Sequence, residues 1–149
     1  MSEEANENRE KDTSLGIDFG GTSVKVAAVR GGRLLGEVER IVTSDCDSAD
    51  AMVTELAVSI AAWRDRFPEL KAVGVGVPGA VDVDTGVTYN LTNVPGWRDY
   101  PLRDKLSGLC GLPVMVDNDA NCMAFAEFAH GAARGARNAV AVTLGTGVG

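Results

Sequence analysis

One histidine and three cysteines are this 149-residue chain's whole stock of imidazole and thiol metal ligands. Cys46, Cys110 and Cys122 are too widely spaced for a metal motif, and an odd number does not make a disulfide framework. The pattern predicts free thiols, buried or half-buried, and a reducing cytoplasmic location. Basic charge is also scarce: 14 Lys and Arg face 21 Asp and Glu, a net charge of −7. Broad nucleic-acid binding is therefore not expected, because neutralising phosphates needs a basic face. No apolar run is long enough to cross a membrane, and the N-terminus is too polar for a signal peptide. His130 falls near the end of a predicted helix, where a positive group suits the dipole, and reads as structural.

What remains is ordinary for a globular domain: 45% hydrophobic and 23% charged residues, in a chain long enough for a real core. Residues 1–14 stand apart. Glu3, Glu4, Glu7, Glu10 and Asp12 outweigh Arg9 and Lys11 with almost no apolar content, which predicts a disordered acidic tail. Strands are predicted at 15–20, 23–30 and 33–41, with a Gly31-Gly32 hairpin between the last two. Val53, Leu56, Ala57, Ile60, Ala61 and Trp63 recur at helical spacing over 49–66, with Asp47 or Ser48 as cap and Pro68 as stop. Strands at 72–77, 113–116 and 138–144 alternate with helices at 102–109 and 120–130, and 80–99 forms a long excursion. This order predicts a mixed sheet with flanking helices and right-handed crossovers.

Ligands in such sheets bind beyond the carboxyl ends of the strands. Asp18, Gly79, Asp117 to Asp119 and Gly145 all fall just after predicted strands, so they should line one edge. In Asp18-Phe-Gly-Gly-Thr-Ser-Val-Lys25, Gly20 and Gly21 allow a sharp turn with backbone N–H groups close to a ligand. Thr22 adds a hydroxyl, Lys25 a positive charge, and Asp18 a carboxylate able to hold a metal through water. A ligand-free Gly-Gly hairpin is the alternative, but it needs neither Asp18 nor Thr22.

Asp117-Asn-Asp-Ala-Asn121 supplies four amide or carboxylate residues at a strand-to-helix junction where a helix cap needs one. Asp119 would sit in the first helical turn, placed to accept a proton from a substrate hydroxyl. Asn118 offers a donor and an acceptor to a sugar diol, and Asn121 reads as structural. In Asn90 to Trp97, amides and an indole either meet a hydroxylated ligand or form a surface turn pinned by Trp97. Gly74-Val-Gly-Val-Pro-Gly79 matches a dinucleotide fingerprint only in letters, since its glycines lie within a strand and Pro78 breaks the context.

Together, Asp-Phe-Gly-Gly-Thr-x-x-Lys, Gly-Val-Gly-Val-Pro-Gly, Asn-x-Pro-Gly-Trp, Asp-Asn-Asp-Ala-Asn and Leu-Gly-Thr-Gly-Val-Gly closely resemble the ROK family over residues 15–149. That family comprises bacterial glucokinases, N-acetylhexosamine kinases and sugar-responsive repressors. The resemblance implies an α/β ribonuclease H-like (actin-like ATPase) fold and ATP-dependent phosphorylation of a hexose, glucose first. The alternatives are an N-acetylhexosamine kinase or a non-catalytic sugar-sensing module. Asp119 would be the general base, with Gly79, Asn93 and Asn118 completing this side of the sugar site. Asp18, Gly20, Gly21, Thr22 and Lys25 would form the first phosphate loop, and Gly145, Thr146 and Gly147 the second, with Mg²⁺ held at Asp18 through water.

The same resemblance divides the chain into the tail at 1–14, an N-terminal kinase domain at 15–137, and the first strand and phosphate turn of a second domain at 138–149. The sequence looks cut in mid-motif there. The Glu-x-Gly-His sugar motif, the structural zinc cluster and the adenosine region would lie beyond Gly149. The expected partners are a hexose and further copies of the full-length protein, with neither nucleic acid nor membrane.

Overall fold

A computed structural model describes residues 12–91 and 94–144. Three antiparallel strands open the fold: β1 (Thr13–Phe19), β2 (Ser23–Arg30) and β3 (Arg33–Val42). Helix α1 (Ala49–Arg66) leads to β4 (Leu70–Val77). A small sheet follows, β5 (Val81–Asp82), β6 (Val87–Asn90) and β7 (Arg98–Tyr100). Helix α2 (Leu102–Cys110), β8 (Val114–Asn118) and α3 (Asp119–His130) complete the described elements. The main sheet runs β3-β2-β1-β4-β8, with β4 parallel to β1 and β8 parallel to β4.

Alternation along the strands decides which face is covered. Leu15, Ile17 and Phe19 of β1 join Val24, Val26 and Ala28 of β2 and Val73, Val75 and Val77 of β4 in one buried layer. Helix α1 seals that layer with Met52, Val53, Leu56, Ile60 and Trp63, and α2 with Leu102 and Leu106. Burying each such side chain fully is worth about 1.5–3 kcal/mol against leaving it in water. Glu39 of β3 fastens α1 from the side, accepting from Ser59 Oγ at 2.7 Å and Trp63 Nε1 at 2.6 Å. Ser48 is the α1 cap, its hydroxyl accepting from Ala51 N at 3.2 Å.

The hairpin between β2 and β3 turns on Gly31 and Gly32, both at positive φ (55° and 74°), the geometry of a two-residue hairpin loop that favours glycine. Helix α3 crosses from the carboxyl end of the sheet toward this hairpin. A Cβ on Gly32 would lie 2.8 Å from His130 Cγ, so His130 has a packing role.

Three expectations shift. The first strand begins at Thr13 rather than Leu15, so the expected tail loses its last residues to the fold. Thr13 is fully buried, its hydroxyl accepting from Arg30 Nε at 2.9 Å, and Asp12 pairs with Lys71. The excursion at 80–99 holds β5, β6 and all but the last residue of β7. The strand expected at 138–144 is absent over 138–143, with a single isolated bridge at Leu144. Val140, Val142 and Leu144 are largely exposed there. An apolar, β-branched run becomes a strand only when another strand accepts its backbone hydrogen bonds.

Candidate active site

The sheet register brings the polar residues of three strand ends into one row. Asp18 lies opposite Gly76 of β4, and Gly76 opposite Asp117 of β8. Paired residues share a sheet face, so both carboxylates project to the same side with no side chain between them. Lys25 of β2 continues the row opposite Asp18, its Nζ 2.8 Å from Asp18 Oδ2. The pair is about half exposed, so it orients Asp18 more than it stabilises the fold.

The turn after β1 is tightly built. Gly20 N donates to Asp18 O and Ser23 O, each at 3.1 Å, and Thr43 N donates to Thr22 O at 3.2 Å. A Cβ on Gly20 would lie 2.6 Å from the Ser23 carbonyl oxygen, so only glycine fits without moving the backbone. Gly21 and Thr22 are exposed, and among the described residues their N–H groups donate to no protein acceptor. Free backbone donors at a tight turn are the raw material of an anion site.

The start of α3 is stitched to the end of β4 by one amide. Asn118 is the helix cap, Oδ1 accepting from Ala120 N at 3.0 Å and Asn121 N at 3.3 Å. Its Nδ2 donates to Gly79 O at 3.0 Å. With the oxygen occupied by the cap, one Nδ2 hydrogen remains for a sugar hydroxyl, a narrower role than the donor–acceptor pair expected. Asn121 is structural, donating to Asp117 Oδ1 at 3.0 Å, and the same oxygen accepts from Asn118 N at 2.7 Å. Asp117 is thereby held. Asp119 is exposed in the first helical turn, with Oδ1 accepting from Ala120 N at 2.8 Å.

Gly76 is a positioning residue that the sequence analysis passed over. A Cβ there would lie 3.5 Å from Asp119 Cα and 3.4 Å from Cys122 Sγ, so α3 rests directly on β4. A glycine inside a buried strand was the available signal, because it marks a close backbone approach. Gly79, at φ 108°, would bring a Cβ 3.2 Å from Asn90 O, which ties the end of β4 to the small sheet.

Cys122 lines the same hollow as the acids. Burial pushes its thiol up, and the charges of Asp117, Asp119 and Asp18 push it further in the same direction. Those three carboxylates come from β8, α3 and β1. They line one end of this otherwise largely apolar hollow of about 930 Å³. Among the described residues no group of three or more His, Cys, Asp and Glu could hold a metal ion.

Trp97 is buried (2% exposed) and serves as the pin of its loop. Asn93, Gly145, Thr146 and Gly147 lie outside the described residues. Among those described, no helix is long and apolar enough to cross a membrane.

With this geometry in place, comparison with known proteins is informative. The ROK family model matches residues 14–149. A glucokinase of Halalkalibacterium halodurans is 39% identical over 139 residues, covering 91% of this chain and 42% of that protein. An N-acetyl-D-glucosamine kinase of Escherichia coli is 35% identical over 134 residues, covering 90% of this chain and 44% of that protein. Among solved structures, a ROK family glucokinase from Streptomyces griseus in complex with glucose and AMPPNP superposes with a TM-score of 0.79 at 34% identity. That superposition covers 92% of this chain and 43% of the other. The chain thus spans less than half the length of the curated relatives it matches.

Proposed function

We propose that this chain, which belongs to the ROK family, supplies the base and first phosphate loop of an ATP-dependent hexose kinase. The observation that carries this reading is the convergence of Asp18, Asp117 and Asp119 beside the free N–H groups of the 20–22 turn. Phosphoryl transfer asks a protein mainly to position two substrates and neutralise charge, and the row is laid out for both.

Asp119 takes the proton of the attacking sugar hydroxyl as its oxygen bonds to the γ-phosphorus of ATP and the bond from that phosphorus to the bridging oxygen breaks, releasing ADP. It lies exposed in the first turn of α3, open to the sugar. Asp117 is the weaker candidate, because two N–H donors already hold its Oδ1. Asn118 fixes the angle of Asp119 through the cap and joins the Gly79 carbonyl to it, so the sugar-side backbone and the base move together. Gly21 and Thr22 donate N–H groups to phosphate oxygens, and Lys25 keeps a positive charge beside Asp18. Mg²⁺ supplies neutralisation of the phosphate charge when bound, and Asp18 is the residue that would hold it through water. The second loop, Gly145, Thr146 and Gly147, is assigned to the phosphates by the family motif alone.

Glucose is the favoured sugar. Asn93-Val-Pro-Gly-Trp97 followed by Pro101-Leu-Arg103 looks most like glucokinases, and the Halalkalibacterium relative has the higher identity. N-acetylglucosamine is the second reading, favoured by the 35% identity to the Escherichia coli kinase. Comparison of kcat/KM for the two sugars at fixed Mg·ATP distinguishes them. A preference for glucose of about tenfold or more, the discrimination a single pocket contact supplies, is expected. An equal or reversed ratio would move the assignment to the N-acetylated sugar.

A further inference from the structure

Trp97 lies between the end of β1 and the small sheet. Its ring meets Phe19 edge-on, with centroids 5.3 Å apart at 67°. Phe19 is the residue between Asp18 and Gly20, at the start of the phosphate turn. On its other side Trp97 packs on Tyr100 at 4.8 Å. Its indole Nε1 donates to Thr88 Oγ1 at 2.6 Å, and that hydroxyl donates to Tyr100 O at 3.2 Å. Tyr100 in turn donates to Asp50 Oδ1 at 2.5 Å, at the start of α1. Phe19, Thr88, Trp97 and Tyr100 are all buried.

We infer that Trp97 is a positioning residue, with the Trp97–Thr88 hydrogen bond setting the sugar-side segment at its working distance from the phosphate turn. This rests on the kinase reading above. The excursion between β4 and α2 meets the rest of the fold through buried Leu91 and Val94 and through two contacts near the site. One is the Asn118–Gly79 contact at its start; the other is this aromatic wedge near its end. Backbone bonds from Val94 N to Leu91 O and from Trp97 N to Val94 O link Leu91 and Val94 to Trp97. The phosphate turn has independent supports, Gly20 N to Ser23 O and Thr43 N to Thr22 O. Loosening Trp97 should therefore disturb the sugar and spare the nucleotide. A residue that merely fills the core would lower thermal stability and leave both KM values alone.

The test uses the protein at its natural length, with wild type as control and glucose and Mg·ATP as substrates. Trp97→Phe keeps the ring packing and removes the donor; Thr88→Val keeps the shape and removes the acceptor. Each is expected to raise the glucose KM about tenfold, as small displacements of a substrate-positioning group do, with the ATP KM within about twofold. Thr88→Ser restores the acceptor and should bring the glucose KM back. If Trp97→Phe does not fold, the Thr88 pair carries the test alone. A glucose KM within about twofold of wild type in Thr88→Val, or an ATP KM that rises in step with it, would overturn the positioning role. A wild-type protein without glucose-dependent turnover would overturn the kinase reading itself, and this inference with it.

Discussion

Replacing Asp119 with asparagine is expected to lower kcat by about 10²–10⁴-fold while changing the glucose KM by no more than a few-fold. The amide oxygen can still accept from Ala120 N, as Asp119 Oδ1 does at 2.8 Å, so the first turn of α3 keeps its closure. Asn118, the true cap, is untouched by the change. What is lost is the capacity to take a proton. Steady-state kinetics on the natural-length protein, with thermal unfolding as a folding control, reads this directly. A fall of less than about tenfold would leave Asp119 as a helix-turn residue and place the base elsewhere, with Asp117 the next acid to examine.

The second large effect is expected at Gly20. In Gly20→Ala the new methyl meets the Ser23 carbonyl oxygen at 2.6 Å, a backbone atom with no rotamer to change. The turn relieves the clash by opening, which breaks the Gly20 N to Ser23 O bond and re-aims the N–H groups of Gly21 and Thr22. A displacement of about 1 Å at a positioning element can cost on the order of 10²-fold in rate, so kcat/KM for ATP should fall by about that much. Glucose binding without nucleotide, measured by calorimetry, should hardly move, since Gly79 follows β4 and Asn118 ends β8. An unchanged kcat/KM for ATP would mean that this turn does not hold phosphate.

Where the sequence was legible, long periodic segments made it so. Helix α1 runs over 49–66 as its apolar spacing predicts, because one stripe must face the sheet for most of its 18 residues. The strands β2 and β3 were read from alternation and from the glycine pair that joins them. The small sheet was not legible, since strands of two to four residues, as in Val81–Asp82, are too short to show a period. Thr13 and Ser14 look like tail residues by composition. They enter the sheet because Arg30, 17 positions away, supplies a partner for the Thr13 hydroxyl. The 138–144 segment failed in the opposite sense, for its composition suits a strand while its pairing depends on a neighbour that composition does not specify.

The candidate site shows the same division. That Asp18, Gly79 and Asp117 to Asp119 share one edge followed from their places after predicted strands. The share of work among them did not. Asn118 spends its amide on the cap and on Gly79 O, while Asn121 holds Asp117, partnerships that the order of residues does not specify. Gly76 contributes by having no side chain, visible only once Asp119 Cα and Cys122 Sγ are seen against it. Trp97 looked equally suited to a ligand or to a turn, and its burial between Phe19 and Tyr100 decides for the fold.

The central claim is that this chain holds the base and a phosphate loop in one row, poised to phosphorylate a hexose. Glucose-dependent ADP release from Mg·ATP by the natural-length protein, with ³¹P detection of the sugar product, tests it most directly. The account predicts one ADP formed for each glucose 6-phosphate, with both products lost together in Asp119→Asn. ATP hydrolysis indifferent to sugar, or sugar binding with no phosphorylated product from glucose or N-acetylglucosamine, would contradict it.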